Sequence, residues 1–327
     1  MKNRILILGS SNVDLIFRVP RFHHPGETIQ GKSLSTVFGG KGANQAIASK
    51  RLGGRVTLIT KLGNDHYGKS YRQYLIKNGL DPNWILKDKK VPTGMALIEL
   101  DPKGENRIIV YRGSNDSLSE SDLKMFGPFW KKINLFVTQL EIPMAVVKMG
   151  LKMAKEHGAL TLLNPSPATR LPCSILSLVD FIVPNEWEAQ FLTGIKWKGD
   201  RDIRRMAGTL LKMGVRNVVI TLGSKGLFFK NRSEEFWMKA FKVKVVDTTA
   251  AGDAFLGALA TGLAENKPIQ EALRFANGAG ALATTKLGAQ PSLPLKKDLD
   301  AFLFKNPLSS RASEATPLSE YPPLTTL

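Results

Sequence analysis

Cysteine and long hydrophobic segments are both scarce in this sequence. Its 327 residues include a single cysteine, Cys173, which excludes an intrachain disulfide and a cluster of thiolate metal ligands. No apolar run approaches the roughly 20 residues that a membrane-spanning helix needs, and the apolar stretch at residues 5–8 is too short for the core of a signal peptide. These absences predict a cytoplasmic protein with no membrane partner.

Basic residues outnumber acidic ones without forming a nucleic-acid-binding motif. The formal net charge is +18, but Lys and Arg are scattered along the chain. No zinc-finger spacing, basic zipper or interleaved aromatic–basic segment is present. A basic surface that attracts anionic substrates such as nucleotide phosphates explains the charge equally well. We therefore expect no nucleic-acid partner.

The chain also lacks the dinucleotide-binding motif of oxidoreductases. Its first apolar segment, residues 4–9, is typical of a strand buried on both faces. That segment is followed by Gly9-Ser-Ser-Asn12 rather than by G-x-G-x-x-G. A dinucleotide-dependent oxidoreductase, which the α/β pattern alone would allow, is therefore disfavoured.

Strand-like and helix-like segments alternate through most of the chain. This alternation predicts an α/β fold, a three-layer αβα sandwich with a mostly parallel central sheet, in which ligands bind at the carboxyl ends of the strands. The predicted strands are at residues 56–60, 135–138, 160–163, 180–183, 217–221 and 226–229, and the predicted helices are near residues 67–78, 144–157, 186–193 and 203–213.

Four shorter β-prone segments predict a small antiparallel sheet apart from the main one. They lie at residues 15–19, 27–34, 94–100 and 107–111, within about residues 14–37 and 92–112. The main domain is expected to span residues 1–305. Residues 306–327 are rich in proline, serine and threonine, which predicts a disordered C-terminal tail.

Residues 247–253 place two carboxylates around a run of small residues, ahead of an apolar helix. Ala250, Ala251 and Gly252 leave the backbone accessible where N–H groups and the helix dipole attract an anion. Asp253 then lies where a carboxylate can reach whatever those amides hold, which suits phosphoryl transfer to a hydroxyl group. The alternative is an aspartate that caps an ordinary helix.

A second motif is a glycine cluster at the start of another helix. Gly39, Gly40 and Gly42 permit tight backbone geometry and close approach of a ligand. Lys41 and Asn44 supply donors that suit hydroxyl groups. The cluster itself does not have the Walker A spacing. Taken alone, it is also consistent with an ordinary turn.

Together the two motifs closely resemble the paired signatures of the ribokinase (PfkB) family of sugar kinases, and the resemblance runs from about residue 4 to residue 303. It implies ATP-dependent phosphorylation of the 5-hydroxyl of D-ribose. Intermediate landmarks occur in order: Asn12-Val-Asp14, Pro25-Gly-Glu27, Gln139-Leu-Glu141, Asn164-Pro-Ser-Pro-Ala168, Pro184-Asn-Glu-Trp-Glu188 and Thr221-Leu-Gly-Ser-Lys-Gly226.

The resemblance also implies roles for individual residues. Asp253 matches the general base, and the amides of Ala251, Gly252 and Asp253 match an anion hole for the transferred phosphoryl group. A turn or capping residue is the alternative for Asp14. The residues that match the sugar pocket are Asn12, Asp14, Gly40, Lys41, Gly42, Ala43, Asn44 and Glu141.

ATP and Mg²⁺ are the cofactors that the resemblance implies. Glu188 matches an element linked to Mg²⁺, and because Mg²⁺ keeps several waters, a contact through water is expected. A solvated helix residue is the alternative for Glu188. The residues that match the nucleotide site are Asn185, Thr221, Gly223, Ser224, Gly226, Ala251, Gly252 and Asn277.

Ribokinases also carry a monovalent-cation site beside the anion hole, so the resemblance implies activation by K⁺. Lys286 would contribute only its carbonyl, because a cation repels its ammonium group. Two residues depart from the family pattern: Ala250 replaces a frequent glycine, and Ala254, where threonine is common, is expected to pack beneath the helix start. The matching residues are Asp247, Thr249, Ala283, Lys286, Gly288 and Ser292.

The small sheet is expected to act as a lid that excludes water from the sugar site. The resemblance implies a homodimer formed through these lids. One rival is a kinase of the same family that acts on 2-deoxyribose, fructose or adenosine, although Asn12 and Gln139-Leu-Glu141 favour ribose. A second rival is a catalytically silent sugar- or nucleotide-binding regulator, against which the intact Asp253 argues.

Overall fold

Residues 3–307, the part of the chain that the computed structural model describes, contain thirteen strands and ten α-helices, joined by loops and five short 3-10 helices. The predicted C-terminal tail lies outside this part except for residues 306 and 307. The strands are β1 Arg4–Leu8, β2 Asn12–Arg18, β3 Ser33–Gly39, β4 Arg55–Gly63, β5 Ile85–Asp88, β6 Gly94–Leu100, β7 Asn106–Tyr111, β8 Leu135–Thr138, β9 Leu160–Leu163, β10 Phe181–Ile182, β11 Asn217–Thr221, β12 Leu227–Lys230 and β13 Glu235–Met238. The helices are α1 Lys41–Arg51, α2 His66–Lys77, α3 Glu120–Lys124, α4 Met144–Glu156, α5 Cys173–Leu176, α6 Glu186–Thr193, α7 Asp200–Lys212, α8 Ala251–Ala264, α9 Ile269–Ala283 and α10 Lys296–Lys305.

Nine of these strands form the central sheet, in the order β13-β12-β11-β10-β9-β8-β1-β4-β5. Seven neighbouring strands run parallel to one another: β11, β10, β9, β8, β1, β4 and β5. At one edge, β12 pairs antiparallel with β11, and β13 pairs antiparallel with β12. The predicted mostly parallel sheet is confirmed. Strands β5 and β13 and helices α3, α5, α9 and α10 have no counterpart among the predicted elements.

The side chains of β1 alternate between two cores. Ile5 and Ile7 pack with residues of α1, α8 and α9, while Leu6 and Leu8 pack with residues of α4 and α7. All four side chains are fully buried, because a central strand of a three-layer fold faces helices on both sides. This arrangement explains the continuous apolar run at the start of the sequence and confirms the three layers.

The other four strands form a separate sheet in the order β3-β2-β6-β7, which we call the lid. The β2–β3 and β6–β7 pairs are antiparallel, and β2 and β6 are parallel. Strand β3 starts later than the predicted segment at residues 27–34, because its register pairs Ser33 with Arg18 and Gly39 with Asn12. The strand therefore ends directly before α1, and the lid continues into the glycine cluster.

The loops that follow the parallel strands meet at one edge of the central sheet. Ser10 follows β1, Gln139 follows β8, Asn164 follows β9 and Asn185 follows β10. Carboxyl ends of parallel strands share an edge by geometry. Polar side chains that are far apart in the sequence are thus brought together here.

Among residues 3–307, none of the helices has both the length and the apolar character that crossing a bilayer requires. Cys173 is exposed at the first residue of α5 and has a free thiol.

Candidate active site

Asp253 lies in the first turn of α8 and is only 7% exposed. Both of its carboxylate oxygens accept hydrogen bonds from α1. The side-chain amide of Asn44 donates to Oδ2 at 2.9 Å, and that of Gln45 donates to Oδ1 at 3.0 Å. Asp253 does not cap its own helix, since Ala250 occupies the N-cap position. The simple capping role is therefore wrong.

Burial raises the pKa of Asp253 above its ordinary value, and the Glu141 carboxylate raises it further. Lys41 and the two amide donors act in the opposite direction without cancelling the effect of burial. For Lys41, burial lowers the pKa, but Asp253, Glu141 and Glu188 together outweigh it, so the pKa is raised. Lys41 consequently stays protonated among carboxylates from three different elements.

Glu141, Asp14 and Asn12 lie on the lid side of this cluster. Glu141 Oε2 accepts the backbone N–H of Lys41 at 3.1 Å and the hydroxyl hydrogen of Ser10. Burial and the neighbouring Glu141 raise the pKa of Asp14 to about 7. Asn12 Oδ1 accepts a hydrogen bond from Asn115 Nδ2 at 2.7 Å. Asp14 sits within strand β2, so the turn or capping role is wrong.

The glycine cluster docks α1 onto the loop after β1. Gly40 is the N-cap residue, with a left-handed φ of 88°. A Cβ atom on Gly42 would lie 2.5 Å from the carbonyl carbon of Gly9, so only glycine fits. The Ala43 N–H donates to the Ser10 carbonyl at 2.9 Å. Gly42 and Ala43 therefore have packing roles whether or not they also contact a sugar.

Asn185 and Glu188 form a reciprocal cap at the start of α6. The Glu188 N–H donates to Asn185 Oδ1 at 2.8 Å, and the Asn185 N–H donates to Glu188 Oε2 at 2.9 Å. Glu188 is 7% exposed, so the solvated alternative is wrong. Its charge still acts on Lys41, which places it on the same side of the site.

The other residues of the predicted nucleotide site lie on neighbouring elements. Thr221 forms a bridge with Asn185, and Gly223 and Ser224 are exposed in the turn after β11. A Cβ atom on Gly226 would lie 2.0 Å from the Met238 carbonyl oxygen. Asn277 of α9 donates to the Lys239 carbonyl at 2.8 Å.

The start of α8 has open space beside it. Gly252 is exposed, and nothing lies within 4 Å of the position that a Cβ atom would take there. The Ala251 N–H instead donates to the Thr248 carbonyl at 3.2 Å. Of the three predicted anion-hole amides, that of Ala251 is therefore engaged in a turn.

Asp247 joins the two loops of the predicted cation site. Its Oδ1 accepts the Thr249 N–H at 2.9 Å and the Thr249 hydroxyl at 2.6 Å, and its Oδ2 accepts the Gly288 N–H at 2.8 Å. These bonds lower the pKa of Asp247 despite the opposing effect of burial. Ala283 accepts the Lys286 N–H at 3.3 Å, and the Ser292 hydroxyl donates to Ala289.

Within residues 3–307, no group of three or more His, Cys, Asp and Glu side chains is arranged to hold a metal ion. On the nucleotide side, Glu186 and Glu188 both lie in the first turn of α6. A divalent ion here would need oxygen ligands from another source, such as phosphates and water.

One further stretch, residues 26–33, has the Walker A spacing. A phosphate loop requires that spacing between a strand and a helix. Here it lies in an irregular lid segment that leads into strand β3. The Glu27 carboxylate in this stretch accepts a hydrogen bond from Arg21 at 2.7 Å. The spacing is therefore not a phosphate loop.

Sequence reasoning gave no role to several buried amide and hydroxyl groups around Asp253. Gln45 contacts Asp253 directly, and Gln290 Nε2 donates to Asn44 at 3.0 Å and to Tyr71 at 2.6 Å. A signal was available for Gln45, since Asn44 and Gln45 are large polar residues within an otherwise small or apolar helix segment. No sequence signal was available for Gln290, because its partners Asn44 and Tyr71 are far from it in the sequence.

A three-layer αβα fold with a separate small sheet, and a buried carboxylate at a helix start near a lysine, suit a small-molecule kinase. Comparison with known proteins identifies which kind. Residues 2–296 match the profile described as pfkB family carbohydrate kinase. The chain belongs to this family, and the family and fold expected from the motifs are confirmed.

Individual relatives agree with this assignment. The chain is 38% identical to the ribokinase of Haemophilus influenzae over 303 residues, which are 93% of this chain and 99% of that protein. It is 34% identical to the deoxyribokinase of Salmonella typhi, over 92% of this chain and 99% of that protein. The solved structure of Arabidopsis thaliana ribokinase complexed with ribose and ATP has a TM-score of 0.87 and 32% identity, with 93% and 99% of the two chains covered.

Proposed function

We propose that this kinase transfers the terminal phosphoryl group of ATP to the 5-hydroxyl of D-ribose. The observation that carries the proposal is the placement of Asp253. Its buried carboxylate lies between the open start of α8 and the polar cluster formed by Lys41, Asn44 and Glu141. The similarity to ribokinases over nearly the full chain supports ribose as the sugar.

The polar cluster suits a polyol. Carboxylates of Asp14 and Glu141 accept hydrogen bonds from hydroxyl groups, and the amides of Asn12 and Asn44 both donate and accept. A sugar that lacked one hydroxyl would leave a buried polar group without a partner, which is costly. The backbone around Gly40, Gly42 and Ala43 limits the space available to the sugar.

Asp253 is the proposed general base. Its carboxylate accepts the proton of the attacking hydroxyl, and because phosphoryl transfer has a loose transition state, position matters more than basicity. Lys41 stays cationic and offsets the negative charge of the neighbouring Asp253 and Glu141 carboxylates. The amides of Gly252 and Asp253 form the anion hole, and Ala251 joins them when its turn bond to Thr248 is released.

The nucleotide is assigned to the elements beside α8. The open space at Gly252 leaves room for a phosphate group at the helix start. Mg²⁺, when bound with ATP, neutralises charge on the phosphates. Glu188 would contact the ion through a water molecule. The residues that would hold the nucleotide are Asn185, Thr221, Gly223, Ser224, Gly226 and Asn277.

The test is a coupled ATP-consumption assay with ribose, 2-deoxyribose, fructose and adenosine, using wild type and Asp253→Asn. We expect the highest kcat/KM with ribose. Asp253→Asn should keep its affinity for ATP and lose about 1,000-fold or more in kcat, since a general base contributes this order of rate. Asp300→Asn, at an exposed residue of α10, is the matched control. Near-wild-type turnover of Asp253→Asn would refute the role.

Phosphorylation of 2-deoxyribose is the second candidate, favoured by the similarity to the Salmonella typhi deoxyribokinase. The two sugars differ by one hydroxyl group. If kcat/KM for ribose exceeds that for 2-deoxyribose by about 100-fold or more, a buried partner for that hydroxyl group is implied. Equal kcat/KM values for both sugars would favour a pocket that leaves the 2-position free.

Activation by K⁺ is proposed for the loops that Asp247 joins. Asp247, Thr249, Ala283, Lys286, Gly288 and Ser292 would bind the ion, largely through backbone carbonyls. Turnover is measured in potassium, sodium and Tris salts at constant ionic strength. Higher kcat in potassium is expected, and equal rates in all three salts would contradict the site.

We also propose that the lid forms a homodimer interface. Strand β7 is exposed on both faces and is rich in apolar side chains: Ile108 is 53%, Ile109 70% and Val110 56% exposed. An exposed apolar edge strand of this kind is typical of an interface. A cytoplasmic location remains a prediction from the single cysteine.

A further inference from the structure

Gln45 is a fully buried amide whose polar atoms all have partners. Its Nε2 donates to Asp253 Oδ1 at 3.0 Å and to Asn164 Oδ1 at 3.4 Å. Its Oε1 accepts a hydrogen bond from Gln139 Nε2 at 2.6 Å. Gln45 and Gln139 are 0% and 1% exposed. A buried amide with three partners is held in a single orientation.

Asp253 and Gln139 face opposite ends of the Gln45 amide. The carboxylate of Asp253 takes the donor end, and the N–H group of Gln139 faces the oxygen end. Asn164 strengthens this choice: its own amide donates to the Val183 carbonyl at 3.1 Å, so its oxygen faces Gln45. A flipped Gln45 would point its oxygen at a carboxylate and lose all three bonds.

We propose that Gln45, oriented by Gln139, is a positioning residue that holds the Asp253 carboxylate in line with the attacking hydroxyl. Asn44 holds the other oxygen of the carboxylate, but its own oxygen accepts a bond from Gln290 instead of Gln139. The two amides thus approach Asp253 from different supports and fix its plane. The inference rests on the proposed role of Asp253.

The charged groups that face Asp253 are Lys41 on α1 and Glu141 after β8, with opposite effects. The neutral Gln45 donor adds to Lys41 in favouring the ionised carboxylate. Its removal should therefore raise the pKa of Asp253 as well as free its rotation. The sugar pocket itself stays intact, because Gln45 contacts Asp253 and amides rather than the hydroxyl-binding side chains.

The experiment compares Gln45→Met and Gln139→Met, which keep side-chain length and remove the amide, with Ser49→Ala. Ser49 lies one turn further along α1 and bonds Thr261 of α8 at 2.8 Å, both fully buried. Like Gln45→Met, Ser49→Ala therefore removes a buried hydrogen bond between α1 and α8, but it removes no partner of Asp253. Steady-state kinetics are measured with the sugar that wild type prefers, across a range of pH.

We expect Gln45→Met to lower kcat about 100-fold and Gln139→Met about 10-fold, as small misplacement of a reacting group does. The KM values for sugar and ATP should stay within about 3-fold, and the acidic limb of the kcat profile should move to higher pH. Ser49→Ala should stay within about 2-fold in kcat, as expected for a change away from the reacting groups.

The carboxyl ¹³C resonance of Asp253, assigned by its loss in Asp253→Asn, gives a readout without turnover. Its titration should shift to higher pH in Gln45→Met. If wild type phosphorylates no sugar, the proposed function fails, and this titration still tests the inference. An unchanged titration, unchanged kcat in Gln45→Met, or an equal loss in Ser49→Ala would overturn it. If Gln45→Met does not fold, Gln139→Met decides.

Discussion

At the scale of single residues, Asp14 of the proposed sugar site makes the stability of the protein depend on pH. Burial beside Glu141 raises its pKa from 3.8 to about 7, so the folded protein holds a proton that the unfolded chain releases. The unfolding free energy contributed by Asp14 therefore falls as pH rises from about 4 to about 7, and the full cost is present above pH 7.

Asp14→Asn removes this dependence, since asparagine does not ionise. Relative to wild type, its unfolding free energy should increase by about 2–3 kcal/mol between pH 5 and pH 8, at about 1.4 kcal/mol per pKa unit. Urea denaturation at both pH values measures the difference, with Asp300→Asn as the exposed control. A constant difference across pH would show that Asp14 has an ordinary pKa.

Ala250 is a second residue of interest at this scale, because its backbone conformation is strained and only the structure shows it. Its φ of 58° lies in the left-handed region, where a Cβ atom is unfavourable. The family pattern described above predicts glycine at this position. Ala254, the other departure, is fully buried under the helix start as expected.

Ala250→Gly should relieve the strain. After allowance for the flexibility of glycine in the unfolded chain, a gain of about 0.5–1 kcal/mol is expected, or roughly 2 °C in Tm. Ala145→Gly, at an ordinary exposed position in the first turn of α4, should lose stability instead. Calorimetry of both variants decides, and a loss in Ala250→Gly would contradict the strain.

At the scale of elements, the contact between α1 and the loop after β1 positions the site. A Cβ atom on Gly42 would meet Gly9 at 2.5 Å and the Ser10 nitrogen at 2.7 Å. These are backbone atoms, so α1 would have to move away from β1. Asn44 and Gln45 would move with it.

Gly42→Ala should consequently destabilise the protein by about 1–3 kcal/mol, the usual cost of overpacking, and should lower kcat as well. Gly208→Ala is the matched control, because nothing lies within 4 Å of a Cβ atom there and the residue lies inside α7. That change should stabilise by about 0.5–1 kcal/mol. Urea midpoints distinguish the two, and similar values would refute the close approach.

At the scale of the whole molecule, the exposed apolar side chains of β7 require a partner if the proposed dimer forms. Ile109→Asp places a charge at a side chain that is 70% exposed on β7 and should convert a dimer to a monomer at micromolar concentration. Phe304→Asp, at an 88% exposed residue of α10, should leave the dimer intact. Sedimentation equilibrium measures both. A wild-type monomer would count against the interface.

The sequence by itself determined the layers of the molecule and its family. Period-two and period-3.6 patterns, and the paired motifs at residues 39–44 and 247–253, each lie within a short segment of the chain. They can therefore be read without knowing which segments come together in the fold. They located β1, α1 and the start of α8 within a few residues. They missed β5 and β13 and began β3 too early, because the partner strand decides which residues of a segment pair.

Only the tertiary structure decided how the candidate site is held. Gln45 and Asp253 are 208 positions apart and still share a hydrogen bond of 3.0 Å. The raised pKa of Asp14 arises from burial and from Glu141, which a linear pattern does not contain. Such contacts arise when parallel strands bring their carboxyl ends to one edge, so they follow from topology and not from any segment of the chain read alone.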